Sequence, residues 1–247
     1  MLKKMIAIIT SVIILLTPIQ ASAVTWGEIV TGLQASDTFT DGKTTATRTS
    51  EGEYVISGGQ IGNPVEVSEL LQFSDSLKVL FRNIGIEQLN AHEDSGKTIA
   101  VILGSGSEVM DGVNVSAHGK DTNLSLTNEG KMGSLNAIVH NQAQAAIKNN
   151  GEITGGMNNE VHGEGSRLEF VNDKEGRITG GMDNGVSEKG ELVFTNNGTI
   201  SGEHLFNGAF DGGMLKNTNN GTINVTNVTN ESLHNYARGG GSLGERT

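Results

Sequence analysis

The sequence predicts an all-β fold, a right-handed parallel β-helix (a solenoid) with about 23 residues per coil. Three observations support this prediction. A short motif returns at a nearly constant distance along the chain, the residues within each copy alternate with a period of two, and no run with helical periodicity occurs between Val113 and Val228. A β-solenoid is the architecture that satisfies all three, since each coil needs to bury only a narrow interior against its neighbours.

The repeat consists of an apolar segment, an asparagine and then a turn, as in FTNNGTISG from Phe194. The step from one copy to the next is nearly constant. The asparagines that mark the copies are Asn128, Asn149, Asn172, Asn196 and Asn219. Two weaker copies extend the repeat upstream at the same step, with Ser105 and Asn83 in the asparagine place. Seven coils are therefore expected.

Each copy is expected to contain three short strands separated by turns. Leu168, Phe170 and Asn172 occupy alternate positions, which is typical of a strand with one buried face. The Asn-Gly or Glu-Gly pair that follows predicts a turn with positive φ, and Ile178 begins the second strand. A Gly-Gly turn and a third strand from Met182 complete the coil.

The repeated asparagine is predicted to be structural. An asparagine can adopt a left-handed backbone conformation at the end of the first strand. Its amide can also bond to the asparagine one coil above and one coil below, as in stacked cross-β structures. We therefore predict an asparagine ladder and assign it no role in ligand binding.

The ends of the chain differ from the repeat. Lys3 and Lys4, an apolar run and the small residues before Ala23 are typical of a signal peptide cleaved after Ala23. The predicted domains are a signal peptide (1–23), an N-terminal cap with divergent first coils (24–66), the β-helix (67–235) and a flexible tail (236–247). Within the cap, Trp26, Ile29, Val30 and Leu33 have the spacing of a helix face that covers the first coil.

Composition limits the classes of partner. The predicted signal peptide carries two of the 17 basic residues and none of the 28 acidic ones, so the remainder has a net charge of −13. Nucleic acid is an unfavourable partner for such a surface. The chain has no cysteine, so its stability does not depend on disulfides.

The copies NNGTISG and NNGEITGG, the Leu-x-Phe before them and the predicted leader resemble the passenger regions of bacterial autotransporters and related β-helical surface adhesins. The resemblance covers roughly residues 67–235 and implies export to the cell surface, the outer membrane or the medium. Relatives of this kind continue into a carboxy-terminal β-barrel, and the sequence ends at Thr247 without room for one. A passenger fragment, a truncated product or a protein exported by another route is expected, with end-to-end continuation into a missing region or an outer-membrane translocator.

Candidate catalytic and metal-binding residues do not converge in the predicted coils. Asp111, Asp183 and Asp211 are expected at turns, in different phases of the repeat. His140, His162 and His204 follow the turn hydrophobes at unequal distances and are not expected to stack. We therefore predict no catalytic residues, no metal site and no cofactor.

The expected function is adhesion or cell-surface interaction without catalysis, directed at an unidentified host or neighbour-cell ligand. Two alternatives stay open. One is a β-helical polysaccharide lyase or hydrolase, because a parallel β-helix supports several unrelated activities. The other is a structural stalk with no ligand of its own.

Overall fold

A computed structural model describes residues 23–233 and 242–243. It is a parallel β-solenoid of about eight coils with about 23 residues per coil, which confirms the predicted fold class. Residues 1–22 of the predicted signal peptide (1–23) and most of the predicted tail lie outside the described residues, and the handedness stays a prediction. The number of coils is one larger than predicted, because the first parallel coil begins upstream of the recognisable repeat, at Glu53.

The described chain contains one α-helix, one 3-10 helix and 23 strands. The helices are α1 (Trp26–Ala35) and the 3-10 helix Val67–Phe73. The strands before the clear repeat are β1 (Thr38–Thr40), β2 (Thr45–Ser50), β3 (Glu53–Ser57), β4 (Gln60–Ile61), β5 (Val65–Glu66), β6 (Ser76–Arg82), β7 (Gly85–Glu93), β8 (Thr98–Leu103) and β9 (Glu108–His118). Those within it are β10 (Asn123–Asn128), β11 (Lys131–Met132), β12 (Leu135–His140), β13 (Gln144–Asn149), β14 (Glu152–Ile153), β15 (Met157–His162), β16 (Arg167–Asn172), β17 (Arg177–Ile178), β18 (Met182–Ser187), β19 (Glu191–Asn196), β20 (Thr199–Phe210), β21 (Met214–Asn219), β22 (Thr222–Leu233) and β23 (Ser242–Leu243).

The strands form two long sheets that enclose the interior. The first sheet runs β1-β2-β3-β6-β8-β10-β13-β16-β19-β21-β23 and carries the first strand of every coil. The second sheet contains the short second strands and the longer third strands, which merge into single strands in β7, β9, β20 and β22. The three strand segments per coil are therefore as predicted, with the second and third belonging to one sheet.

The alternation within the first strands is confirmed. Leu168, Phe170 and Asn172 are buried, and the same three positions of the next coil are Leu192, Phe194 and Asn196 in register. The rings of Phe170 and Phe194 stack with centroids 5.3 Å apart. Buried aliphatic side chains from all three strands fill the interior, so each coil stabilises its neighbours through its own small core.

The assignment of Ser105 and Asn83 to the asparagine place is wrong. Asn128 pairs in register with Leu103, and Leu103 pairs with Phe81. Ser105 and Asn83 lie further along, beyond the ends of their strands. The interior of the first coils is thus apolar where later coils carry amides.

The prediction of positive φ at the asparagine turn is also wrong. Neither the ladder asparagines nor the glycines that follow them are among the positive-φ residues of the described chain. Glycine is needed there because stacked corners approach closely. A Cβ added to Gly151 would collide with the carbonyl oxygen of Gly130, and one added to Gly198 would collide with that of Gly176.

The N-terminal end of the interior is covered by α1, as the helical spacing predicts. Trp26, Ile29, Val30 and Leu33 are buried, and the Trp26 indole Nε1 donates a hydrogen bond of 3.0 Å to a backbone carbonyl of the first coil. Thr25 and Glu28 form a reciprocal capping box that fixes the start of the helix. The strands β1, β2 and β3 are antiparallel and join this cap to the parallel coils.

Candidate functional site

The five predicted ladder asparagines form one continuous column, which is buried from Asn128 to Asn196 and ends at the exposed Asn219. The Nδ2 of each donates to the Oδ1 of the next, at 2.8, 2.8, 2.8 and 2.7 Å from Asn128 to Asn219. Each donating amide also lies 3.3 to 3.4 Å from a backbone carbonyl of the following coil. Buried amides are stable here because neighbouring coils supply their partners.

A second asparagine column, which the sequence reasoning missed, follows the third strands, with three buried members and an exposed last one. Its amides bond at 2.8, 2.9 and 2.8 Å from one coil to the next. Its members are Asn159, Asn184, Asn207 and Asn230. The column begins at Asn159, whose Oδ1 is buried without a hydrogen-bond partner because the preceding coil has Ala137 at that position. The signal was present in the sequence, since these asparagines recur at nearly the same step as those of the first column.

The outer surface of three earlier third-strand segments, in β9, β12 and β15, carries two parallel columns of identical side chains. Pairing of β9, β12 and β15 places asparagines in one column and histidines, further along each strand, in the other. We call this surface the imidazole–amide wall. Its members are Asn114, Asn136, Asn158, His118, His140 and His162.

The histidines stack, so the prediction that they do not is wrong for His140 and His162. Their ring centroids lie 4.6 Å apart with planes inclined by 23°, and His118 lies 4.9 Å from His140. His92 extends the column in an edge-to-face arrangement, with its ring centroid 5.6 Å from that of His118. His204 lies outside the column, as expected, with its Nε2 3.2 Å from a carboxylate oxygen of Asp183.

The missed signal was a constant spacing, because the step from His118 to His140 equals the step from His140 to His162. This constant spacing is not apparent when each histidine is counted from the apolar residue of the preceding turn. Such a count includes the Gly-Gly turn before the third strand, whereas the histidines follow the register of the third strand itself.

Hydrogen bonds hold the wall in place. The Nδ2 of Asn158 donates to the Oδ1 of Asn136 at 3.0 Å and to a carboxylate oxygen of Glu160 at 2.9 Å. His162 Nδ1 lies 2.7 Å from the Ser187 hydroxyl of the next coil. The inner face of these strands is packed with buried aliphatic side chains and, in β15, with the first residue of the second asparagine column, Asn159. The wall is consequently a flat, ordered and half-exposed polar surface.

Stacking and partial burial favour neutral imidazoles. Burial lowers the pKa of His118, and repulsion from a protonated His92 lowers it further, while Asp94 opposes both. Burial also lowers the pKa of His140, followed by repulsion from its two column neighbours, against the attraction of Glu160 and Glu188. At neutral pH these two rings are therefore uncharged and act as hydrogen-bonding and stacking groups.

We expect the stability of the protein to fall when the wall is protonated. The folded pKa values of His118 and His140 lie below the ordinary value of 6.5, so the unfolded chain binds more protons as the pH drops through that value. The urea midpoint should decrease between about pH 7.5 and about pH 5.5 and level off below the folded pKa values. In His140→Gln the decrease in the urea midpoint should be smaller. In His204→Gln, the control, it should be as large as in the unaltered protein. A midpoint that does not change between these pH values would contradict this.

The first sheet presents a different outer face, on which charges vary from coil to coil. Arg167 pairs with Glu191 and, at 3.2 Å, with Glu169, and Glu191 also accepts a hydrogen bond of 2.6 Å from Lys216. The Lys216 ammonium, and then Arg167, hold the pKa of Glu191 below its ordinary value. A glycosidase general acid needs a raised pKa, so the shift in this cluster has the opposite direction.

The aspartates considered as candidate catalytic residues lie apart. Asp111 is part of β9, Asp183 is an outward residue of β18, and Asp211 occupies a turn with a φ of 49°. The expectation that all three lie in turns is therefore wrong for Asp111 and Asp183. Within residues 23–233, no group of three or more His, Asp or Glu side chains is arranged to hold a metal ion.

Comparisons with family models, with curated proteins and with solved structures find no match. None of the helices in the described part of the chain is long and apolar enough to span a membrane.

Proposed function

We propose that this protein is an exported bacterial surface or secreted protein that binds a ligand on a host or neighbouring cell without catalysis, using the imidazole–amide wall. The observation that carries the proposal is the repetition of outward asparagine and histidine at the same positions of three consecutive coils. The resemblance of the repeats to autotransporter passengers supports the exported location.

The repetition on the wall contrasts with the outer face of the first sheet. Inward positions repeat because the core must stack, but outward positions on the first sheet differ from coil to coil, as Thr127, Lys148 and Val171 do on adjacent strands. The coil therefore tolerates varied outward residues. Identical polar groups about 4.8 Å apart suit a ligand that offers several hydrogen-bonding groups in a row.

The chemistry of the wall suits binding. Its imidazoles and amides both donate and accept hydrogen bonds, and a rigid backing reduces the entropy lost on association. The carboxylate of Glu160, next to the wall, has a lowered pKa because it accepts a hydrogen bond from Asn158, and it stays ionised. Such a group can fix the orientation of a polar ligand but is a poor proton donor at neutral pH.

A cell-binding assay tests the proposal. Replacement of His118, His140 and His162 together by alanine should reduce binding of the fluorescently labelled protein by at least about ten-fold, because the contacts are outward and cooperative. The matched control replaces Thr127 and Thr195, outward on the first sheet, by alanine and should bind like the unaltered protein. Circular dichroism establishes that both variants are folded.

Equal binding by the wall variant and the control would refute this role for the wall. Catalysis is tested separately by incubating the protein with acidic and neutral polysaccharides in the presence of calcium. Release of reducing or unsaturated sugar ends would show that the protein is an enzyme and would overturn the non-catalytic proposal.

A further inference from the structure

An outward glycine, Gly185, lies in the middle of β18, on the coil that follows the imidazole–amide wall. A glycine inside a strand weakens the strand, and it commonly marks a bulge, a sharp bend or a place that another molecule approaches closely. The strand β18 pairs with both of its neighbours without a shift of register, so Gly185 is not part of a bulge. Its φ is also not positive. A close approach is the explanation that is left.

The protein itself leaves the space outside Gly185 open. A Cβ added there would have one atom within 4 Å, the carbonyl oxygen of Asn159 at 4.0 Å. Gly208, which pairs with Gly185 on the next coil, is different. A Cβ at Gly208 would lie 2.6 to 2.8 Å from the rings of Phe206 and Phe210, which fold over it. The rings therefore explain the glycine at 208, whereas no group of the described chain explains the one at 185.

Five outward side chains surround this open space, which we call the glycine recess. Its frame consists of Glu160, Asp183, Ser187, Phe206 and Phe210. Glu160 is the register partner of Gly185 on the preceding coil. The carboxylate of Glu160 accepts a hydrogen bond of 2.9 Å from Asn158, which fixes its position. The two half-buried phenyl rings lie on the following coil, so the recess has carboxylates on one side and aromatic rings on the other.

The charges around the recess favour a cationic ligand. The strands β15, β18, β20 and β22 contain no lysine or arginine, and their acidic residues are Glu160, Asp183, Glu203 and Glu231. Lys189, in the turn after β18, is paired with Glu164 at 2.9 Å. The Nε2 of His204 lies 3.2 Å from one oxygen of Asp183, and a carboxylate has a second oxygen that can accept another donor.

An alkylammonium group uses both sides of the recess. Its N–H groups donate to carboxylates, its methylene groups pack on apolar surface, and aromatic rings attract the positive charge. An anion would be repelled by the carboxylates, and a neutral polar group would gain nothing from the faces of the rings. A compact ammonium on an unbranched stem also suits an opening that is one residue wide better than a planar guanidinium does.

We propose that the glycine recess binds a lysine side chain of a partner protein, with the ammonium donating to Glu160 and Asp183 and the methylene stem against Phe206 and Phe210. The net charge of −11 favours a basic partner surface. The proposal does not rest on the function proposed for the imidazole–amide wall, since it requires none of the histidines.

Gly185→Thr is the sharpest test, because it fills the recess at a position where a Cβ has room. The probe is the peptide acetyl-Gly-Lys-Gly-amide, titrated up to roughly 50 mM while the amide NMR signals of Gly185 and Gly208 are followed. We expect at least about a ten-fold weaker affinity and an unchanged or higher melting temperature, since threonine favours strands. Ala146→Thr, the matched control at an exposed position of the first sheet, should leave affinity unchanged.

Asp183→Asn tests the charge without filling the recess. It keeps the shape of an exposed side chain, so the variant should fold normally and bind the lysine peptide at least about three-fold more weakly. The neutral peptide acetyl-Gly-Gln-Gly-amide should not shift the two glycine signals. His118→Ala, three coils away, should bind the lysine peptide normally, which separates failure of the recess from failure of the wall.

Four results would overturn the proposal. The first is the absence of a saturable shift at Gly185 and Gly208, including shifts spread evenly over the acidic surface. The second is equal affinity of Gly185→Thr and the unaltered protein. The third is equal affinity of Asp183→Asn and the unaltered protein, and the fourth is equal binding of the glutamine and lysine peptides.

Discussion

Replacing Phe194 by aspartate is expected to lower the free energy of unfolding by about 4 kcal/mol or more. The Phe194 side chain is 4% exposed and stacks on Phe170 with an interplanar angle of 15°. The substitution removes this contact and introduces a charge into an apolar interior, and none of the buried core residues of the described chain is basic. Urea unfolding followed by circular dichroism measures the loss.

Thr195 provides the control for this prediction. It is the next residue along β19 and points outward, so Thr195→Ala should change the free energy of unfolding by less than about 0.5 kcal/mol. Because each coil contacts only its neighbours, hydrogen exchange in Phe194→Asp should accelerate most in β16, β19 and β21. Equal destabilisation by the two substitutions would contradict the period-two assignment of the strand.

Replacing Asn172 by alanine is expected to cost about 2 to 4 kcal/mol, although the side chain is polar. Asn172 is fully buried, accepts from Asn149 at 2.8 Å and donates to Asn196 at 2.8 Å. Its removal leaves a cavity and deprives both neighbours of a partner inside the solenoid. The effect should be strongest near the middle of the column, where both neighbours are themselves buried.

An exposed asparagine pair supplies the comparison for the ladder. Asn220 donates to Asn197 at 2.9 Å on the outer surface, directly after the ladder position. Asn220→Ala should cost less than about 0.5 kcal/mol, since water replaces the lost partner. A result in which Asn172→Ala is as mild as Asn220→Ala would show that the interior amides contribute little to stability.

Repeat length, the buried face of each strand and the identity of the asparagine column can be predicted from the sequence, because they depend on local pattern. Alternation places Phe194 inside and Thr195 outside whatever the rest of the fold does. The helical cap is predictable for the same reason, since the spacing from Trp26 to Leu33 specifies one apolar face. Constant spacing was also available for the second asparagine column and the histidine column, which were missed.

The features that could not be predicted depend on how coils meet. Asn83 and Ser105 are polar residues at the expected distance along the sequence. The strand register instead places Phe81 and Leu103 at the positions equivalent to the ladder asparagines. The glycine after each ladder asparagine reflects crowding by the carbonyl of the preceding coil, and no single copy of the repeat contains that carbonyl. Strand alternation is decided within a short segment of chain. Register, corner packing and the glycine recess arise between segments that are a whole coil apart in the sequence. Because turn lengths vary, only contact between the folded elements selects the arrangement.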